Sequence, residues 1–149
     1  MDPRMYPVGN AGAMQTDPAY GNILRQLRVR VALADVNAGK EVLPALPGRA
    51  YRLVDGHITS VGGALAAVTD VRVLGTRAGS SVALLVAPQA GLTQSAMLRA
   101  GAATVTLLAD GASFTPLDQN TSIRVGKTGG TGTTATAVDF VLTYVVEAV

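Results

Sequence analysis

The C-terminal segment carries the clearest hydrophobic pattern in the chain. Residues 136–149 read TAVDFVLTYVVEAV, and large apolar side chains recur at every second position: Val138, Phe140, Leu142, Tyr144 and Val146. A period of two places alternate side chains on opposite faces of a β-strand, and branched and aromatic residues favour a pleated surface. The segment is therefore predicted to be a strand with one face in a core.

A second alternating pattern begins the body of the chain at Ile23. Its apolar positions are Leu27, Val29, Val31 and Leu33, and the positions between them are Gln26, Arg28, Arg30 and Ala32. This period of two predicts a long strand with one apolar face and one charged face.

Shorter extended segments lie between these two strands. They are predicted at residues 51–54, 57–61, 68–74, 81–86, 104–108 and 121–125. Residues 37–40 and the Asp55-Gly56 dipeptide carry turn residues, and residues 75–79 have the length of a hairpin loop. Prolines interrupt residues 41–48, which are therefore predicted to form an edge strand or a crossing connection. Residues 92–100 fit either one or two helical turns or a short strand.

Short strands at near-regular spacing, without a long helical pattern, are typical of antiparallel all-β folds. The sequence therefore predicts a single domain over residues 23–149, folded as an antiparallel β-sandwich or jelly-roll-like barrel. A chain of 149 residues is long enough to bury about two thirds of its unfolded surface. It contains no cysteine, so its stability must come from packing or assembly.

Residues 1–22 differ in composition from the body of the chain. Prolines and glycines there discourage both helix and sheet. Four sizeable apolar residues remain: Met5, Tyr6, Val8 and Met14. We expect an extended arm whose apolar side chains dock on a partner, with a disordered tail as the alternative.

The composition excludes several classes of partner. Charged residues make up only 15% of the chain, against about a quarter in ordinary domains. Either a partner covers part of the surface, or the genome favours alanine; both explanations stay open. The net charge is only +2, the arginines are scattered, and no apolar stretch has the length of a membrane helix or the context of a signal peptide. Neither nucleic acid nor membrane is expected as a partner.

Two glycine-rich motifs resemble nucleotide-binding loops without meeting their requirements. Gly126-Lys127-Thr128 resembles the end of a phosphate-binding loop, but Thr121 stands where the first glycine is needed. Residues 130–135 resemble a dinucleotide fingerprint, but the strand, loop and helix that give that pattern its meaning are not predicted. The tract is therefore predicted to be a flexible glycine-threonine loop between two strands, and no cofactor is expected.

The residues that carry acid-base or metal chemistry are sparse. His57 is the only histidine, and Asp55 is the acid near it in sequence. We predict a histidine in a turn beside Asp55. The other acids show no spacing that indicates paired catalytic carboxylates. The sequence therefore predicts no catalytic residues, no metal site and no enzymatic activity.

Arg28 and Arg30 share a face of the first strand, and Arg25 is close to them in sequence. Such a stripe is compatible with a solvated face, with protection of a strand edge, or with contact to an acidic partner.

Two segments resemble small virion proteins of tailed bacteriophages, the decoration or cement proteins that coat the head. The first is VLPALPGRAYRLVDGHITSVGG, residues 42–63, and the second is DQNTSIRVGKTGGTGTTATAVDFVLTYVVEAV, residues 118–149. The similarity consists of a proline-containing entry to the AYRLVD strand, a glycine pair after it, and a Gly/Thr-rich stretch before the terminal strand. It spans about the last two thirds of the chain.

The resemblance implies a structural protein that binds the outside of an assembled phage capsid, with the major capsid protein as partner. The chain would be made in the host cytoplasm, would remain on the outer surface of the virion, and would hold neighbouring capsomers together. The low surface charge and the proline-interrupted edges further predict a homo-oligomer on the particle, a dimer or trimer at a symmetry axis. The expected contact residues are Met5, Tyr6, Val8 and Met14 in the arm and Arg25, Arg28 and Arg30 on the first strand.

Other functions stay open at this stage. A tail- or fibre-associated sandwich is the alternative within virions. A carbohydrate-binding module is the alternative from another class, although such modules present aromatic platforms to sugar rings and this chain has only four Tyr, two Phe and no Trp. An enzyme comes third.

Overall fold

The computed structural model describes residues 23–148, which form nine strands, one short helix and two 3-10 turns. In chain order these are β1 Arg25–Ala32, α1 Leu33–Ala38, β2 Lys40–Leu43, β3 Arg49–Val61, β4 Ala66–Arg77, β5 Ser80–Pro88, a 3-10 turn Gln89–Gly91, β6 Met97–Arg99, β7 Thr106–Leu107, a 3-10 turn Ala109–Phe114, β8 Ile123–Thr133 and β9 Ala137–Ala148.

The strands form two antiparallel sheets. Sheet A has the order β1-β9-β3-β6, and sheet B has the order β2-β8-β4-β5-β7. The pairs β1·β9, β2·β8, β3·β6 and β4·β5 are nested inside one another, as in a long hairpin folded over on itself. This nesting is the topology of a jelly roll, to which β7 adds a short strand beside β5. The all-β sandwich predicted from the sequence is confirmed.

The core lies between the two sheets and is built from the alternating positions. In β9 the side chains of Val138, Phe140 and Leu142 are fully buried, as their spacing predicts. The phenol ring of Tyr144 packs edge-on against that of Tyr51, with 5.6 Å between ring centroids. Aromatic pairs prefer this geometry because the positive ring edge faces the negative ring face.

The predicted turn at Asp55-Gly56 is wrong, because β3 runs unbroken from Arg49 to Val61. Its register with β9 shifts between Leu53 and Asp55, so that Val54 is the extra residue of a β-bulge. The inward positions change from odd to even at this point: Tyr51 and Leu53 are buried before the bulge, and Ile58 after it. Bulges and turns favour the same small and polar residues, so the Asp55-Gly56 dipeptide is typical of both.

The glycine-threonine tract is also a strand, and the predicted flexible loop is wrong. Residues 126–133 belong to β8, which pairs with β4 through two register shifts. A Cβ at Gly130 would lie 2.6 Å from the carbonyl oxygen of Ala67, so the β4 backbone passes too close for a side chain. The glycines here permit close packing of backbones inside a sheet.

Two further predictions change, and two others agree with the structure. Leu33 was expected to extend the first strand, and residues 37–40 were expected to form a turn; instead Leu33–Ala38 is helix α1. The Asn37 side chain pairs with the backbone of Gly132, accepting from its nitrogen at 2.7 Å and donating to its oxygen at 3.2 Å. Residues 92–100 contain the short strand β6, and the proline-interrupted segment contains β2, which is an edge strand as predicted.

The segment after the second 3-10 turn ties the two sheets together. The backbone nitrogen of Leu117 donates to Tyr51 in sheet A at 2.9 Å, and that of Asp118 donates to Thr76 in sheet B at 3.0 Å. The Asp118 carboxylate accepts hydrogen bonds from the nitrogens of Ala78 and Gly79 in the β4–β5 turn, at 3.0 and 2.8 Å. The Leu117 side chain is buried over this junction, which closes the sandwich at this side.

We predict that Gly75→Ala destabilises the fold by about 1–3 kcal/mol, the usual cost of overpacking a core. A Cβ at Gly75 would lie 2.6 Å from Cδ1 of Leu117 and 3.1 Å from Cδ1 of Leu84, so these two buried leucines must shift within the core to admit it. Urea denaturation of both proteins measures the change in the free energy of unfolding.

The matched control is Gly126→Ala, another buried strand glycine, whose added Cβ would meet a single neighbour, Cδ1 of Leu74, at 3.6 Å. Equal effects of the two substitutions would show that the loss of a strand glycine, rather than the contact with Leu117, sets the cost.

Candidate partner-binding face

The outer face of sheet A, directed away from sheet B, is polar across all four strands. Registered residues form rows across the sheet. One row is Arg28, Val141, His57 and Arg99, the next is Arg30, Asp139, Thr59 and Met97, and a third is Gln26, Thr143 and Asp55. We call these eleven positions the outer face. The alternation of β1 and β9, together with the bulge in β3, brings them to the same side of the sheet.

Ion pairs across neighbouring strands fix the side chains of this face. Arg30 binds Asp139 in a bidentate manner, with Nε–Oδ1 and Nη2–Oδ2 distances of 2.8 and 2.9 Å. Arg99 Nη2 lies 2.7 Å from Asp55 Oδ2. Hydrogen bonds from these guanidinium groups hold the pKa of Asp139 and the pKa of Asp55 below the usual value for aspartate. Both pairs are exposed to solvent, so they orient charges more than they stabilise the fold.

Arg28 differs from its neighbours on this face. Its Nε donates to Oε1 of Gln26 at 3.1 Å, and no carboxylate within residues 23–148 pairs with it. Its side chain is exposed, and the next position in its row, Val141, is apolar. The outer face therefore presents a positive charge that the described residues leave without an acid.

A shallow concavity lies in the middle of the outer face, with a volume of about 250 Å³. It is lined by Gln26, Asp55, Gly56, His57, Met97, Arg99, Val141 and Thr143. At its margin the Met97 side chain is 59% exposed. Charged side chains next to an exposed thioether and a valine form a surface that a protein partner can contact through both charge and apolar area.

The structure separates the arginines that the sequence grouped. Arg28 and Arg30 lie together on the outer face, whereas Arg25 is on the other face of β1, in the same alternation as Leu27. Arg25 is close enough to the phenol of Tyr51 to oppose the rise in the pKa of Tyr51 that burial causes. The predicted arm residues Met5, Tyr6, Val8 and Met14 lie outside the described residues.

His57 is in strand β3 and not in a turn, which corrects the sequence prediction. Its neighbour Asp55 is already bound by Arg99 and by the backbone nitrogen of Gly56. Lys127 of the phosphate-loop-like motif donates to the carbonyl oxygens of Gly129 and Gly130, at 3.1 and 2.8 Å. Among residues 23–148 no three His, Cys, Asp or Glu side chains are grouped to hold a metal ion, and no helix is long and apolar enough to cross a membrane.

Sequence reasoning missed most of the outer face. Asp55, Arg99 and Asp139 come from three strands, and only the register of sheet A places them beside Arg28 and Arg30. The alternation of β9 did contain a signal for Asp139, since it stands between the buried Val138 and Phe140 and must point outward. In β3 the register shift at Val54 interrupts the alternation, so the sequence did not indicate that Asp55 and His57 point outward.

Comparisons with known proteins give one structural likeness to report. No protein-family model matches the chain, and no curated protein matches it. Among solved structures, a chain from "Capsid of Ralstonia phage GP4" is similar, with a TM-score of 0.49 and 15% sequence identity over 84% of this chain and 85% of that chain.

We predict that the protein loses stability as the pH falls below about 4, because of its paired aspartates. The most buried of them is Asp70 on β4, whose Oδ1 lies 2.6 Å from Nε of Arg72; this hydrogen bond lowers the pKa of Asp70. A carboxylate with a lower pKa in the folded state stabilises the fold above its unfolded pKa, and that contribution disappears as the pH falls through the folded pKa.

The measurement is the melting temperature of the wild type and of Asp70→Asn from about pH 6 to about pH 3, with the variant expected to show the flatter profile. Asp35→Asn is the control, since the ion pair of Asp35 with Lys40 is open to water. Parallel profiles for the wild type and Asp70→Asn would contradict the assignment.

Proposed function

We propose that this chain is a non-enzymatic structural protein of a phage virion that binds the outside of the assembled capsid and stabilises contacts between capsomers. The observation that carries the proposal is the outer face of sheet A, a preorganised polar surface with Arg28 lacking a carboxylate partner among the described residues. The resemblance of residues 42–63 and 118–149 to decoration proteins supports it.

A rigid sandwich suits a mechanical role. The segment containing Leu117 and Asp118 fixes the sheets to each other, and ion pairs between strands hold the charged groups in place before a partner arrives. Preorganisation reduces the entropy that binding must overcome. The outer face is thus suited to contact a surface of matching shape and opposite charge.

In this proposal the chain stabilises the shell because it binds the assembled shell selectively. A ligand that binds only one state stabilises that state by mass action. Repetition of the contact over a symmetric shell adds avidity if copies associate as dimers or trimers at symmetry axes. In this proposal the major capsid protein is the partner, the arm carries Met5, Tyr6, Val8 and Met14 to it, and Arg28 meets an acidic group beside the Arg30–Asp139 pair.

The outer face offers no support for the carbohydrate-binding alternative. Stacking on sugar rings needs aromatic side chains on an open surface. Within residues 23–148 the outer face presents none: Tyr51, Tyr144 and Phe140 belong to the opposite, inward face of sheet A.

The decisive experiment is to purify phage particles, separate heads from tails, and count this chain against the major capsid protein. The proposal predicts a stoichiometric, many-copy presence on heads, because every equivalent joint of the shell offers the same site. A few copies confined to tails would favour the tail- or fibre-associated alternative, and absence from particles would reject a virion role.

Deletion of residues 1–20 is predicted to leave the sandwich folded and to weaken binding to undecorated heads. Burial of a large apolar side chain contributes roughly 1.5 kcal/mol or more before ordering costs, so the loss of four such residues should raise the dissociation constant by at least about tenfold. The measurements are the melting temperature and co-sedimentation with heads. Equal binding by the truncated and full-length chains would remove the arm from the mechanism.

A further inference from the structure

Among the described residues, β1 is the longest of the four strands that stand at the edges of the two sheets. Among the described residues β1 is the first strand of sheet A and pairs on one side with β9. Its eight residues stay in unbroken register, from Arg25 opposite Tyr144 to Ala32 opposite Ala137, and contain neither proline nor glycine. In an antiparallel strand, alternate residues direct their backbone N–H and C=O groups away from the paired neighbour, so this edge offers hydrogen bonds to a further strand.

The other three outermost strands of the described sandwich, β2, β6 and β7, are short or irregular. Strand β2 has four residues, a register shift and Pro44 immediately after it. Strand β6 has three residues and β7 has two. Short strands, irregular pairing and proline are the devices by which proteins prevent addition of strands at an edge. Strand β1 has none of these three devices. Its protection is the positive charge of its arginines, which an added strand with acidic side chains can neutralise.

The side chains of β1 define the chemistry of an added strand. On the inward side, Leu27 and Val29 pack against the core and stay only half-buried, because no described strand covers them. On the outward side, Arg28 has no carboxylate partner in the part of the chain that the structure describes. A complementary strand therefore has apolar side chains on one face and acidic side chains on the other.

The same charges argue against pairing of β1 with a second copy of itself. The antiparallel registers that pair the centre of β1 with itself and keep the apolar residues on the core face bring Arg28 and Arg30 of one copy opposite those of the other. Like charges opposite each other destabilise a strand pair. Complementarity of charge thus selects an acidic partner over a second copy.

We propose that the free edge of β1 binds an extended segment of a partner protein in which apolar and acidic residues alternate. The segment adds a strand to sheet A through backbone hydrogen bonds, its apolar side chains cover Leu27 and Val29, and a carboxylate pairs with Arg28. The inference rests on the proposed function only for the source of that segment, which would be the capsid shell.

The test uses the full-length chain and a short soluble peptide of alternating valine and glutamate. Binding is followed by NMR together with amide hydrogen exchange. We expect saturable binding, with slower exchange confined to β1 and its edge. A peptide with N-methylated backbone nitrogens should fail to bind, since it cannot donate to the edge.

The role of the Arg28 charge is tested by reversing it and by changing the charge of the peptide. Arg28→Glu should weaken binding of the glutamate peptide by at least about tenfold and should permit binding of a peptide of alternating valine and lysine. Arg124→Glu is the matched control: Arg124 is an exposed arginine on β8 of sheet B, and its replacement should leave binding unchanged. The folded state of each variant is checked by its melting temperature.

Failure of the full-length chain to bind the glutamate peptide would overturn the inference, as would protection away from β1 or binding that Arg28→Glu does not reduce. These outcomes are separate from those of the particle count. A chain that binds the peptide but is absent from heads retains the edge site and rejects the virion role, whereas a chain abundant on heads that binds no peptide retains the role and rejects the site.

Discussion

The pairing of β3 with β9 is the interaction on which both the core and the outer face depend. These two strands lie in the middle of sheet A and stay in contact from Arg49 opposite Ala148 to Val61 opposite Ala137. One side of the pair buries Ile58 against Phe140, and the other side exposes His57 beside Val141. Strands β1 and β6 attach to its two outer edges, so the positions of Arg28 and Arg99 follow from this central ladder.

The bulge at Val54 makes that arrangement possible. Without the extra residue, the odd positions that face inward at Tyr51 and Leu53 would continue, and Asp55 and His57 would point into the core. A buried carboxylate without a partner is strongly destabilising, whereas on the outer face Asp55 binds Arg99 and the Gly56 nitrogen. The bulge thus keeps the inward positions of β3 in the core along its whole length and places Asp55 and His57 on the outer face. The bulge lies between Arg52 and Asp55, and both of these charged side chains face outward because of it.

Sequence patterns predicted the parts of the fold in which one face is buried and the other is polar. Strands β1 and β9 have that character, and their alternation indicated both the strands and their inward residues. The Gly126–Thr133 stretch could not be recognised in this way, because glycine has no side chain to alternate. It is a strand because the backbone of β4 and the side chain of Asn37 supply its partners, and these come from distant parts of the sequence.

The candidate face was harder to predict than the core for a related reason. Burial of one strand face produces a periodic pattern of apolar residues within a single segment. An ion pair such as Arg30–Asp139 joins residues far apart in sequence and can be recognised only when the strand register is known. Arg28 was found because the alternation of β1 marks it as outward. Its significance comes from what the register places around it, a valine and no acid among the described residues. One arginine on an open edge then has two effects, since it repels a second copy of its own strand and attracts an acidic one. In the proposed binding mode, the charge of Arg28 selects the partner at this edge, while the backbone and the half-buried Leu27 and Val29 supply the affinity.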